Sequence, residues 1–197
     1  MPAERTNTRD IARAAVRAEL GRVAFRLFLR NGFENVTIDD LAAAAGVSRS
    51  TFLRYFGTKE DAVLGGFEAK GERVAEALRA RPADEDDWTA LRHALDLAIP
   101  AYHEDPAAML SMVRLIGSTP ALAARQLEKQ RAWRPAMVHA LAERAGSPEH
   151  PAVAHWVRVS AALDCLTVAV DHWSDSDGRL DLVALLDEAF AAFPGSR

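Results

Sequence analysis

The sequence predicts an all-α fold, with a three-helix helix-turn-helix unit at the N-terminus and a larger helical body after it, about nine helices in all. Three observations carry that prediction. Apolar residues recur at three- and four-residue spacings along most of the chain. No stretch alternates with the period of two that a half-buried strand requires. The segment Thr37–Lys59, TIDDLAAAAGVSRSTFLRYFGTK, reads as two short helices joined by a tight turn. The expected boundary between the two parts follows residue 58, giving 1–58 for the first and 59–197 for the second.

Taken in order, residues 1–8 carry no apolar pattern and are expected to lack order. Arg9–Asn31 is one helix whose buried stripe is Leu20, Val23, Ala24, Leu27 and Phe28. Arg9, Arg13 and Arg17 are spaced by four along it. They suit either a solvated basic face or an approach to phosphates and the minor groove, as the arms of DNA-binding domains make. Asn31-Gly32 ends the helix, and Phe33 and Val36 plug the small core. Thr37 caps the next helix with its hydroxyl, and Asp39 and Asp40 suit the positive helix end. Gly46 supplies the left-handed residue that stops it, Val47 is the apolar residue of the turn, and Ser48 caps the following helix.

In Ser48–Phe56 the rings of Phe52 and Phe56 lie four apart on one face, which leaves Arg49, Ser50 and Arg54 to point elsewhere. Two short helices around a Gly-containing turn form a helix-turn-helix, whose second helix fits the major groove. Arg49 can reach a guanine edge, and Ser50 and Thr51 can reach bases or phosphates. Tyr55 and Lys59 suit phosphate contacts, which fix register without reading sequence. The DNA-contact set read from the sequence is Thr37, Ser48, Arg49, Ser50, Thr51, Arg54, Tyr55 and Lys59.

These residues also carry a family resemblance. Thr37-Ile38, Leu41-Ala42, Ala45-Gly46-Val47-Ser48, Thr51-Phe52, Tyr55-Phe56 and Lys59-Glu60, after Leu29-Arg30-Asn31-Gly32-Phe33, resemble the signature of the tetracycline-repressor (TetR) family. The motif covers roughly the first 65 residues. The resemblance implies a DNA-binding regulator that acts as a homodimer and senses a small molecule in its body. One position departs from it: Leu53 stands where many members have an aromatic residue that touches DNA.

In the body, a helix is expected from Lys59 to about Arg79 behind the cap Thr58, with Val63, Leu64, Phe67, Val74 and Leu78 apolar. The run Arg81-Pro82-Ala83-Asp84-Glu85-Asp86-Asp87 breaks it. A helix over Trp88–His103 follows, kinked or shortened at Pro100. Helices are expected at about 106–118, 120–145, 150–173 and 180–193, opened by Asp105-Pro106, Thr119-Pro120 and His150-Pro151 and by the loop before Leu180. Residues 160–170 are nearly all small or apolar, the mark of a helix covered by more than one neighbour.

One short recognition helix reads few base pairs, so a two-fold pair is expected, joined through the last two helices. Trp156, Leu163, Leu166, Leu182, Leu186 and Phe190 form the expected pairing surface, as the resemblance implies. The alternative is that they pack within one chain. Phe67, Tyr102, Met109, Met112, Val113, Trp133 and Met137 are large or flexible apolar residues that can line an adaptable pocket for an apolar effector. They equally suit plain helical core. A weaker likeness, over Leu115–Leu122 and Leu127–Gln130, is to regulators that bind fatty-acyl thioesters. It implies an apolar tail between the helices and a basic residue such as Arg114 or Arg125 at the head group.

Composition bounds the rest. The chain has 197 residues, 49% hydrophobic and 26% charged, an ordinary globular balance. Its net charge is −4, but residues 1–60 hold ten basic and seven acidic side chains, so a basic head precedes an acidic body. No window of 18 uncharged apolar residues is present, so no membrane span is expected. MPAERTNTRD lacks the apolar core of a secretory signal. The single cysteine, Cys165, fits a reducing cytoplasm. No cofactor, metal site or catalytic set is expected. His150 and His155 are five apart, not the four of a helical metal pair, and there is neither a glycine-rich phosphate loop nor a G-x-S-x-G motif. The competing readings are a regulator controlled by a protein partner and a helical enzyme that does not bind DNA.

Overall fold

The computed structural model describes residues 8–65, 67–147 and 149–193. The segment 1–7, expected to lack order, lies outside the described residues. The regular structure of the described residues is helical: α1 Thr8–Asn31, α2 Ile38–Ala44, α3 Arg49–Phe56, α4 Lys59–Leu64, α5 Phe67–Arg79, α6 Asp87–Ala94, α7 Pro100–Glu104, α8 Pro106–Ser118, α9 Pro120–Arg144, α10 Val153–Asp175 and α11 Leu182–Ala191. A 3₁₀ turn, Leu95–Ala98, lies between α6 and α7. Nine of the described α-helices have seven residues or more. The chain forms two compact units, residues 1–66 and 67–197.

In the first unit α1 packs on α2 and α4 around Leu20, Ala24, Leu27, Phe28, Phe33, Val36 and Leu41, all buried. The rings of Phe28 and Phe33 meet at 4.8 Å. α4 belongs here, because Ala62, Val63 and Leu64 are buried and α4 contacts α1. The single helix expected over 59–79 is two. α4 ends at Leu64, Gly65 lies in a turn, and α5 begins at Phe67. Glycine is the residue least suited to a helix interior after proline, and the apolar period alone conceals the interruption.

In the second unit α9 is the axis. α5 lies along it, α10 and α8 pack on other sides, and α11 pairs with α10. The core runs from Val74 and Leu78 through Leu91, Leu95, Met137 and Leu141 to Leu163, Trp173, Leu182 and Leu186. Pro100 ends the expected 88–103 helix, which breaks into α6, the 3₁₀ turn and α7. Polar ties hold the periphery. Arg92, 8% exposed, donates to Asp96 and Asp187, both at 2.5 Å, and so fastens α6 to α11. Arg144 donates to the carbonyls of Arg81, Pro82 and Glu85 at 2.8–3.0 Å, which anchors the loop before α6. Glu85 accepts from Arg81 and faces His93 at 2.7 Å. The Arg81 guanidinium is the main reason that its carboxyl is lowered to about 2.

α10 is long and apolar enough, by length and composition, to cross a membrane, which the sequence reading did not anticipate. It carries Arg158 and Asp164, however, and seven of its residues, among them Val159, Leu163 and Trp173, are buried in the core of the second unit.

α5 reaches α9 because residue 71 has no side chain. A Cβ built on Gly71 would sit 2.3 Å from Cδ1 of Trp133, a residue 4% exposed. Gly71→Ala is therefore expected to lower stability by about 1–3 kcal/mol, the usual effect of overpacking. Chemical denaturation of the two proteins measures it.

Candidate nucleic-acid interface

α2 and α3 are short, so their ends carry much of their definition. Thr37 and Asp40 cap α2 reciprocally. The Thr37 hydroxyl accepts from the Asp40 amide at 3.2 Å, and the Asp40 carboxylate accepts from the Thr37 amide at 2.9 Å and its hydroxyl at 2.6 Å. Those bonds hold the Asp40 carboxyl below its ordinary range. At the other end Gly46 is left-handed, with φ 67°. Its amide bonds Ala43 at 3.1 Å, and that of Val47 bonds Ala42 at 3.0 Å. This is the Schellman arrangement that satisfies the last carbonyls of a helix. Ser48 then caps α3 by accepting from the Thr51 amide at 3.1 Å.

α3 is fixed by two anchors. Phe52 and Phe56 are 0% and 4% exposed, and their rings meet at 5.2 Å. Outward from them stand Arg49, Ser50 and Arg54, all exposed, with Thr51, Leu53 and Tyr55 half-buried. Arg49 is not idle: it donates to Asp39 of α2 at 2.8 Å. The sequence reading placed Asp39 only at the positive end of α2; its partner Arg49 lies ten residues away, where no spacing rule links the two. Ser48 and Thr37 are exposed but engaged in their caps. Leu53 offers an apolar edge beside these polar groups.

Lys59, also in the expected DNA-contact set, is engaged within the head. Its ammonium donates to the Phe33 carbonyl at 3.1 Å and sits 4.3 Å from the centroid of the Phe33 ring. A hydrogen bond and a cation–π contact turn it inward, onto the turn between α1 and α2.

In the body, Trp133 and Met137 are buried in the core, and Tyr102, Met109 and Val113 pack against it half-buried. Met112 is half-buried on α8. The side chain of Phe67 lies outside the described residues. Tyr102 meets Trp173 edge-on at 5.1 Å. Burial first, and the Asp171 carboxylate second, push its phenol up to about 12. Both candidate head-group residues are engaged. Arg114 donates to Asp177 and to the Ser174 carbonyl, and Arg125 donates to Glu128 at 2.6 Å. Lys129, 4% exposed on α9, is a buried cation that apolar periodicity did not reveal.

Of the six residues expected to pair two chains, Leu163, Leu166, Leu182, Leu186 and Phe190 are buried inside their own chain. Only Trp156, 43% exposed, faces outward. The apolar residues that α10 leaves open are instead Val153, Val157 and Val168. Spacings of four and eleven put them on one face of the helix, with Asp164 between them. The inward set follows the apolar helical spacing of α10 and α11, and such spacing marks a chain's own core before it marks an interface.

Residues 22–64 match the tetR family of bacterial regulatory proteins, and residues 73–194 match the MftR C-terminal domain. The chain belongs to the TetR family. Its body is of the MftR type, and the family is one of transcriptional regulators and not of enzymes. The chain is similar to the HTH-type transcriptional regulator TcmR of Streptomyces glaucescens, with 32% identity over 66% of this chain and 60% of that one. It is 29% identical to the putative mycofactocin biosynthesis transcriptional regulator MftR of Mycobacterium tuberculosis, over 87% of this chain and 84% of that one. Among solved structures, the fold resembles that of FadR from Thermus thermophilus in complex with lauroyl-CoA, with a TM-score of 0.59 and 22% identity over 89% and 91% of the two chains. It also resembles that of FadR from Bacillus subtilis in complex with stearoyl-CoA, with a TM-score of 0.56 and 19% identity over 88% and 95%. Among the described residues no cluster of His, Cys, Asp and Glu could hold a metal ion.

The two basic residues of this interface have separable tests. Arg49→Ala is expected to leave folding nearly unchanged, because its pair with Asp39 is exposed on both sides, while weakening operator binding and relaxing one base preference. Lys59→Ala is expected to destabilise the first unit by about 1–2 kcal/mol through loss of a charged hydrogen bond. Faster amide exchange in α1 and α2 checks it.

Proposed function

We propose that this TetR-family member is a ligand-responsive DNA-binding repressor of the cytoplasm, working as a homodimer. The observation that carries the reading is the outward face of α3. Two buried rings lock an eight-residue helix so that Arg49, Ser50 and Arg54 project together. A helix so presented suits the major groove, with its N-terminal residues at base edges. The acidic body makes binding local and strongly dependent on salt.

Pairing through α10 and α11 brings two such helices to half-sites roughly 34 Å, or a multiple of that, apart. Val153, Trp156, Val157 and Val168 offer the apolar surface for it. The effector is an apolar small molecule held in the second unit by residues such as Tyr102, Met109, Met112, Val113, Trp133 and Met137. Fatty-acyl thioesters are the first candidates, because two proteins of similar fold were solved with lauroyl-CoA and stearoyl-CoA. With Arg114 and Arg125 already paired, such a head group must compete with Asp177 or Glu128 for them.

Release follows from population shift. Operator favours one separation of the two heads, and the ligand acts only by favouring another. A coupling of roughly 1–3 kcal/mol lowers operator affinity about 5–150-fold.

Selection of bound duplexes from a random pool, followed by challenge of the winner with lauroyl-CoA and stearoyl-CoA, tests the whole. The expected outcome is a two-fold symmetric site, a dimeric mass by light scattering, a raised melting temperature with ligand and a loss of affinity in that range. A monomer that still binds DNA would remove the pairing. Unchanged affinity under every apolar thioester would remove the assigned effector.

A further inference from the structure

The first half of α1 adds nothing to the core of its unit among the described residues. From Thr8 to Glu19 no residue of described burial is buried, and Leu20 is the first that is. Ile11 and Val16 stand 57% and 43% exposed. A helix of about three turns is marginal in water by itself. Here it persists as the continuation of the packed half, and a partner laid along it would hold it further.

That exposed half has a distinct side. Arg9, Ala12, Arg13 and Val16 follow one another at helical spacing and, with Arg54 and Tyr55 of α3, line a cleft of about 310 Å³. The Arg13 guanidinium carbon lies 6.0 Å from the centre of the Tyr55 ring. Glu19 is engaged with Arg22 and Arg26, and Asp39 with Arg49. Among the described residues Arg13 and Arg54 form no ion pair. Arg17, one turn on, is different: its guanidinium lies over Phe56 at 5.4 Å and is half-buried.

An open cleft with three guanidiniums and a phenol on its walls suits an extended polyanion better than a lone carboxylate. Its place also matters. It opens at Arg54 and Tyr55, in the C-terminal half of α3, whereas base edges are met by the N-terminal residues of such a helix. A guanidinium over an aromatic ring keeps its N–H edges available for phosphate oxygens, which it binds in bidentate fashion.

We propose that this cleft seats the sugar–phosphate backbone of the duplex that α3 reads, which makes the first half of α1 a second docking element. Arg9 and Arg13 are then positioning residues: they set the angle at which α3 enters the groove and read no base. The inference rests on the DNA-binding reading given above.

The test uses the full chain and the selected operator duplex. The double variant R9Q/R13Q is expected to bind about ten-fold more weakly. Its plot of log affinity against log salt should be shallower by about 1.8, the slope of two phosphate contacts. Its ranking of operator sequences should not change, and lysine at both positions should restore the slope. In the unmodified protein, hydrogen exchange of amides 11–18 is expected to slow when operator is added. Unchanged affinity and slope in R9Q/R13Q, with Arg49→Ala defective, would overturn the cleft assignment and leave the DNA-binding reading standing. Protection of α3 by operator without protection of 11–18 would do the same. If no duplex is selected by the wild-type chain, the DNA-binding reading itself falls, and this inference with it.

Discussion

The packing of Phe52 against Phe56 is the contact on which the rest of the head depends. An eight-residue helix has no independent stability in water, so α3 exists because one of its faces is buried. Those two rings also determine the direction of the others. With positions 52 and 56 turned inward, helical geometry sends 49, 50 and 54 outward, and the caps at Ser48 and Thr37 set where each helix starts. Chemistry that faces a partner is thus fixed by chemistry that never touches one.

Much of this was legible in the sequence because it is local. Caps, a left-handed glycine and apolar residues four apart act over a few residues, so α2, the turn and α3 were readable from Thr37 to Phe56. The same holds for the starts of α8 and α9, where Pro106 and Pro120 stand at the first helical position. What escaped was set by distant partners. Nothing in the spacing pairs Arg114 with Asp177, Arg92 with Asp187, or Lys59 with the Phe33 carbonyl. A basic residue in a sequence is available to any anion, and only the fold shows which are already taken. The expected pairing surface is a related case. Leu163, Leu182 and Leu186 recur at helical spacing, and the core of their own chain already buries them.

The body shows a second consequence of the division between local and distant terms. Its helices are held to one another by a continuous apolar core, while its loops are tied by arginines: Arg144 to the segment before α6, Arg92 to α11, Arg114 to the end of α10. α8, by contrast, buries only Ile116, while Met109, Leu110 and Val113 rest half-open on the core. A helix so lightly seated is easier to displace than α9 or α10, because less apolar area returns to water when it moves.

Cys165 has a practical meaning that lies apart from regulation. Its thiol donates to the Ala189 carbonyl at 3.6 Å and is 4% exposed, and burial raises its pKa. A thiol in that state is protonated and shielded, so maleimide reagents will pass it by. The native chain is therefore already a background of silent sulfur. A cysteine placed at an exposed head position such as Leu29 can be spin-labelled without first removing the native one, and a measured distance between two such labels becomes a direct ruler for the proposed pairing of chains.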